Sequence, residues 1–251
     1  MQAIAKLHAT WWNTDEPEAL KALFTPEQSL MMIRGFMGGA EVAVEYAATD
    51  LTKAVGEKFG AYVTQAVKTM EEWDFKSVTG DKNKVLCTWD LRTENMVWRK
   101  TPGGPDDYEC VIIDHQVWSY GGAPMYDLGC FFGCSCTVEQ MAERVKVGLQ
   151  AYHDQLLASG VTTYSFAEMD ADFDRATWHC CCIPCFAGKM LKGVRDTAVA
   201  QGEAGEVDAQ KESLTMAENM ATLFANMAER TKALVELRGA YERAPFDVPG
   251  Y

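Results

Sequence analysis

The fold of this chain is constrained most by a break in its periodicity. Through Trp73, apolar residues recur every three or four positions. Three short runs follow, "KVLCTWD", "NMVWRK" and "YECVIID", rich in Val, Ile, Cys and aromatic residues. Helical spacing belongs to the first pattern and strands to the second. Beyond Gly122 the helical spacing returns. The reading is a mostly α chain with a small β insertion (α+β), without internal repeats, in one domain over 1–251.

Within that frame, residues 1–75 are expected to be helical. In "AIAKLHATWW", Ile4, Leu7 and Trp11 keep the three-to-four spacing. Thr14, Asp15, Glu16 and Pro17 read as a cap and first turn leading into "EALKALF". The glycines of "RGFMGGAEVAVEY" end one helix before another begins. The strands fall within 84–114. There "TPGGPDD" is a strong turn signal that makes the last two runs a hairpin. Residues 123–200 return to helix, with Gly160 placed to stop a long one. "AVAQGEAGEVDAQ" is expected to be an exposed loop. A long C-terminal helix over 206–243 should present Met216, Met220, Leu223, Met227 and Leu234 on one face.

The β insertion carries the unusual chemistry. Asp90 stands at a strand end and Asn95 lies five residues on, an acid and an amide oxygen around one tight turn. Asp114 ends the next apolar strand and faces the same point as a second metal ligand. Arg92 lies between and is placed to steady a phosphate. Phosphoryl transfer asks for this kind of set: a carboxylate to orient a hydroxyl, and hard oxygen ligands for Mg2+. Strand ends also carry Asp and Asn simply as turn formers. The combination of three at hairpin-compatible spacing favours chemistry.

The stretch "VLCTWDLRTENMVW … CVIIDHQVWSYGGAPMYDLGCFF" resembles the ecdysteroid-kinase-like and choline-kinase-like group of the aminoglycoside phosphotransferase superfamily. Asp90, Asn95, Asp114, Gln116, Gly122, Asp127 and Leu128 carry the resemblance. "AIAKLHATWW" is similar to the helix after the hinge of those kinases, and the likeness runs over roughly 4–185. The resemblance implies the C-terminal lobe of a protein-kinase-like fold. It makes Asp90 the catalytic base, Asn95 and Asp114 the Mg2+ ligands, and Asp127 a structural acid supporting the catalytic loop.

Two departures weigh on the function. The family's His-Gly-Asp is Thr88-Trp89-Asp90 here, and Trp89 is large enough to fill the space beside the base. The family's Phe is His115 in "IDHQ". The sequence also holds neither G-x-G-x-x-G nor G-x-x-x-x-G-K-[ST], and Gly35, Gly38 and Gly39 have the wrong spacing for a phosphate loop. The N-terminal nucleotide lobe is therefore expected to be absent, with Lys6 inside the first helix. An open inter-lobe face would need a protein partner or a second lobe to cover it.

Bulk properties narrow the partners. A net charge of −13 repels polyanions, so nucleic acid is not expected. No apolar run reaches the roughly 18–20 residues of a membrane helix, and no signal or transit pattern opens the chain. Nine Cys without such a signal fit reduced thiols, in cytosol or an organelle interior, and an odd number argues against full pairing. Cys180, Cys181, Cys182 and Cys185, near His179, raise a metal question. So do Cys130, Cys134 and Cys136, although Cys134 and Cys136 are too close for a zinc knuckle. The plainer reading is a small buried Cys cluster. His8 reads as a satisfied helix histidine at the core edge, and His153 as surface or structural.

Two functions stand side by side. The first is a non-catalytic, pseudokinase-like lobe serving as a structural or assembly subunit, without cofactor. The alternative is a Mg2+- and ATP-dependent small-molecule phosphotransferase for a hydroxyl or amino acceptor, its nucleotide lobe supplied from outside this chain.

Overall fold

Helix stop signals set the architecture of the N-terminal third. In the computed structural model, which describes residues 1–15, 18–20, 23–68, 82–103 and 107–242, α1 (Gln2–Thr10) buries Ile4, Ala5 and His8. α2 (Pro26–Met37) opens with a capping box. Thr25 accepts from the Gln28 backbone N–H, and the Gln28 side chain accepts from the Thr25 N–H. Gly38 and Gly39, at φ +81° and +84°, end α2 and start α3 (Gly39–Tyr46). A backbone with a Cβ rarely adopts that region. A π turn over Ala47–Leu51 leads into α4 (Thr52–Val55), and Gly56 separates it from α5 (Glu57–Lys68).

Of the expected helical span 1–75, Gln2–Thr10 and Pro26–Lys68 are largely helical, Trp11–Asp15 and Leu23–Thr25 are not, and Trp73 lies outside the described residues. The cap expected around Thr14 involves Glu16 and Pro17, which lie outside the described residues. The Thr14 hydroxyl donates back to the Trp11 carbonyl at 3.2 Å, and Glu18–Leu20 form a 3-10 turn. Phe24, expected in a helix, makes a parallel bridge to Ser119 instead.

Among the described residues, four strands stand where three were expected. β1 (Val85–Cys87) does not join the hairpin. It pairs antiparallel with β4 (Ser119–Gly122), a strand that two glycines disguise as a turn. Close approach explains the second glycine: a Cβ on Gly122 would stand 2.4 Å from Cys87 Sγ. β2 (Met96–Lys100) and β3 (Tyr108–Ile112) form the expected hairpin, with Trp98 opposite Cys110 and Met96 opposite Ile112.

α6 (Pro124–Ser135) then runs through the middle of the molecule, with ten residues buried on all sides. An all-round apolar helix belongs inside. One core lies around Leu51, Phe59, Val63, Trp178, Leu191 and Phe224. A second holds Ile4, Leu91, Leu128, Phe132, Tyr152 and Phe173. α7 (Met141–Ala158) stops just before Gly160, at φ +93°. α8 (Phe166–Cys180) starts from a capping box between Ser165 and Glu168. Phe132 and Phe173 meet edge to face at 5.7 Å, joining α6 to α8. Truncating either ring would cost about 3–5 kcal/mol.

Two expectations fail in the last third. The supposed loop 198–210 is helical at both ends. α9 (Phe186–Glu203) runs through Glu203 and α10 (Val207–Leu237) begins four residues later. The proposed face of α10 is also offset. Met216 and Leu223 are exposed, while Ala217, Phe224, Ala228, Thr231, Leu234 and Val235 are buried, with Met220 and Met227 at the margin. α10 packs on both α9 and α6, and small residues allow the close approach. None of the described helices is long and apolar enough to cross a membrane.

Candidate functional site

A loop of eight residues, 88–95, links β1 to β2 and carries Asp90, Arg92 and Asn95. Three anchors hold it. Leu91 is fully buried in the second core. At one end of α6, the Asp127 carboxylate accepts from the Thr88 N–H at 2.8 Å, the Thr88 hydroxyl at 3.0 Å and the Trp89 N–H at 2.9 Å. At the other end, Ser135 Oγ accepts from the Thr93 N–H at 3.0 Å. One helix therefore brackets the loop. Asp127 sits in the first turn of α6, where the helix dipole favours a carboxylate.

Trp89 adopts the left-handed backbone, at φ +61°. That conformation turns its indole into the core, with the ring 4.7 Å from Tyr126 and Nε1 donating to Ser119. The side chain is buried in the core against Tyr126 and Ser119.

Asp90 is half-buried and held on both oxygens. The Arg92 guanidinium lies 3.0 Å from Oδ1. Asn95 Nδ2 donates to Oδ2 and to the Asp90 carbonyl, each at 2.9 Å. Burial pushes the Asp90 carboxyl above its ordinary range. Arg92 and the Asn95 bond pull it back, and the nearby Asp114 charge pushes it up again. Arg92, placed by sequence against a phosphate, is here the counter-ion of Asp90.

Asp114 lies two residues beyond the end of β3. The Ile113 N–H donates to the Asn95 carbonyl at 2.9 Å, which ties the two candidate ligand segments together. Asp114 has φ +64°, a conformation Asp tolerates better than most residues. Its carboxylate is exposed and accepts from Gln116 Nε2 at 3.4 Å. His115 stacks edge to face on Trp118 at 4.2 Å. An exposed carboxylate and an amide oxygen are hard donors of the kind Mg2+ takes, with water completing its shell. Asn95 spends its nitrogen on Asp90, which leaves Oδ1 as the atom it could offer a metal.

Sequence reasoning missed the network behind the loop. His8 is not at the core edge but fully buried. Its Nδ1 lies 2.7 Å from the Tyr152 hydroxyl and its Nε2 3.2 Å from Asp127 Oδ2. Asn13 adds a second tie from the same segment. Its side chain donates to the Lys82 carbonyl and accepts from the Lys84 N–H, both at 2.7 Å, just before β1. The partners of His8 lie 119 and 144 residues away, so no local spacing signals them.

His8, Cys87 and Asp127 also bring three potential metal-ligand atoms within 4.8 Å of one another. Hydrogen bonds already occupy that space: Asp127 receives Thr88, Trp89 and His8, and Cys87 Sγ donates to the Ala123 carbonyl. The cysteines at 180, 181, 182 and 185 are buried, and burial raises all four thiols above their usual range. Among the described residues they do not join a three-ligand group. His153 Nε2 contacts the Tyr164 carbonyl.

A family model described as the ecdysteroid kinase-like family matches residues 1–161. That span takes in the loop 88–95, Asp114, Asp127, His8 and Tyr152, and ends just after α7. No curated protein and no solved structure matches the chain.

Proposed function

We propose a phosphotransfer role for this chain from one premise: it belongs to the ecdysteroid kinase-like family. Its ancestry is that of a kinase-like phosphotransferase. The reading the geometry favours is a Mg2+- and ATP-dependent transfer to the hydroxyl or amino group of a small acceptor. This chain would serve as the C-terminal lobe, with the groups that cradle the nucleotide phosphates coming from sequence outside it.

The observation that carries this reading is the joint placement of Asp90, Asn95 and Asp114. Asp90 and Asn95 bond directly, Asn95 is tied to the residue before Asp114, and the Trp89 indole packs against Tyr126. Asp90 would orient the acceptor and take its proton. Its raised pKa brings it closer to neutral pH, where a base of this kind is more effective. Asn95 Oδ1 and Asp114 would hold Mg2+, which, when bound, offsets the charge of the phosphates. Arg92 would exchange Asp90 for a phosphate oxygen as the anionic substrate arrives. Asp127 would keep residues 88 and 89 in place.

A second reading, a non-catalytic assembly subunit, has its own support. Both Asp90 oxygens are already engaged. Val97, Trp98 and Tyr108 on the hairpin, and Ile113 beside it, are exposed large apolar residues that a protein partner or second lobe would cover. Calorimetric titration of the full chain with Mn2+, whose proposed ligands Asn95 and Asp114 both lie in this chain, separates the two. Binding abolished by Asp114→Ala supports phosphotransfer. A folded chain that does not bind, or binds equally well after the substitution, supports the assembly subunit.

A further inference from the structure

We infer that His8 is the positioning residue of the Asp90 loop, set by Tyr152 and acting through Asp127. Its kinetic consequence rests on the phosphotransfer reading above; its structural part does not.

The hydrogen-bond directions follow from what each group can do. A carboxylate only accepts, so His8 Nε2 must carry the proton it shares with Asp127 Oδ2. In the neutral ring Nδ1 is then the acceptor, and the Tyr152 hydroxyl donates to it at 2.7 Å. Tyr152 is fully buried, and burial pushes its phenol well above the usual range, so it stays a donor. The chain of donation runs from Tyr152 on α7, through His8 on α1, to Asp127 on α6.

Asp127 is where this chain meets the site. A carboxylate offers roughly four lone-pair positions. Oδ2 receives the Thr88 N–H and His8, while Oδ1 receives the Thr88 hydroxyl and the Trp89 N–H. All four are filled, and the carboxylate is fully buried. Removing His8 opens one position on Oδ2 and frees the carboxylate to rotate. Rotation would slacken its hold on the two N–H groups immediately before Asp90. His8 touches neither Asp90 nor the two metal-ligand candidates, so its effect is on orientation alone.

The test is residue-resolved hydrogen exchange on the full chain, comparing wild type with His8→Leu, His8→Gln and Tyr152→Phe. His8→Leu is expected to speed exchange of the Thr88 and Trp89 amides roughly ten- to hundredfold, the range for a lost hydrogen bond to a charged group. Interior amides of α10 should be unaffected. His8→Gln keeps a donor near Asp127 and should restore most of the protection. Tyr152→Phe should fall between. Unchanged exchange at residues 88 and 89 in His8→Leu, or acceleration matched by α10, would overturn the proposal. If His8→Leu does not fold, Tyr152→Phe decides alone, with faster exchange at 88 and 89 supporting the inference and no change overturning it. Where wild type turns over Mg-ATP, His8→Leu should lower kcat at least tenfold with Mn2+ affinity unchanged. Absent turnover in wild type leaves the exchange result alone to judge the positioning role.

Discussion

Asn95 donates from one nitrogen to both the backbone carbonyl and the carboxylate of Asp90, at 2.9 Å each. The amide thus joins the candidate base to the candidate metal site through a single side chain. Asn95→Ala removes both bonds and one of the two proposed metal ligands. It should lower stability by about 1–2 kcal/mol in urea unfolding, since Asp90 keeps partial access to water. Metal affinity should fall at least ten- to hundredfold, the cost of losing even an outer-shell partner. A variant that binds Mn2+ like wild type would remove Asn95 from the metal site.

The charge balance at Asp90 makes a second prediction. Burial raises its carboxyl, Arg92 and Asn95 oppose the shift, and Asp114 adds to it. Arg92→Gln should therefore move the Asp90 midpoint further up, and Asp114→Asn should move it down. Carboxyl 13C titration reads both. The linkage sign follows from the raised value: the native chain keeps a proton that the unfolded chain has released. Asp90's contribution to stability is full below the unfolded pKa of about 3.9 and is lost as pH rises through the folded one. A downward shift in Arg92→Gln would show that the ion pair at 3.0 Å does not act on Asp90 in solution.

Asp127→Asn tests the support of the loop. The amide offers one oxygen and turns an NH2 toward a backbone N–H, which cannot accept, so at least one of the four bonds is lost along with the charge. Buried donors left unpaired in this way should cost about 3–5 kcal/mol, measured by denaturant unfolding. A loss below about 1 kcal/mol would mean that the loop is held mainly by Leu91 and Ser135.

The sequence exposes some of this arrangement and conceals the rest for physical reasons. Asp90, Asn95 and Asp114 are legible because each lies within a few residues of a strand end, and strands announce themselves locally. β4 is concealed because "SYGG" reads as a turn, and its strand character comes only from pairing with β1. The α10 face is displaced because Met216 and Leu223 are apolar by composition yet face water, while Ala217 and Ala228 are chosen for closeness. His8 is the extreme case. A lone histidine on a helix carries no local mark of a partner 119 residues on, and only folding brings Asp127 to it.

Trp89→Gly installs the residue expected at this position in the wider family and separates strain from packing. Trp89 holds a left-handed backbone, which costs a residue with a Cβ about 1–2 kcal/mol and glycine very little. Against that gain stands the loss of a buried indole packed on Tyr126 and bonded to Ser119, about 3–5 kcal/mol for truncation of this size. Burial is the larger effect, so the variant should be less stable by roughly 2–3 kcal/mol in urea unfolding. Its Mg-ATP affinity, measured where it remains folded, should match wild type, because the indole is buried in the core. Binding that tightens tenfold or more would mean the reverse: that Trp89 obstructs the site, and that the Thr-Trp-Asp sequence keeps this chain from phosphoryl transfer.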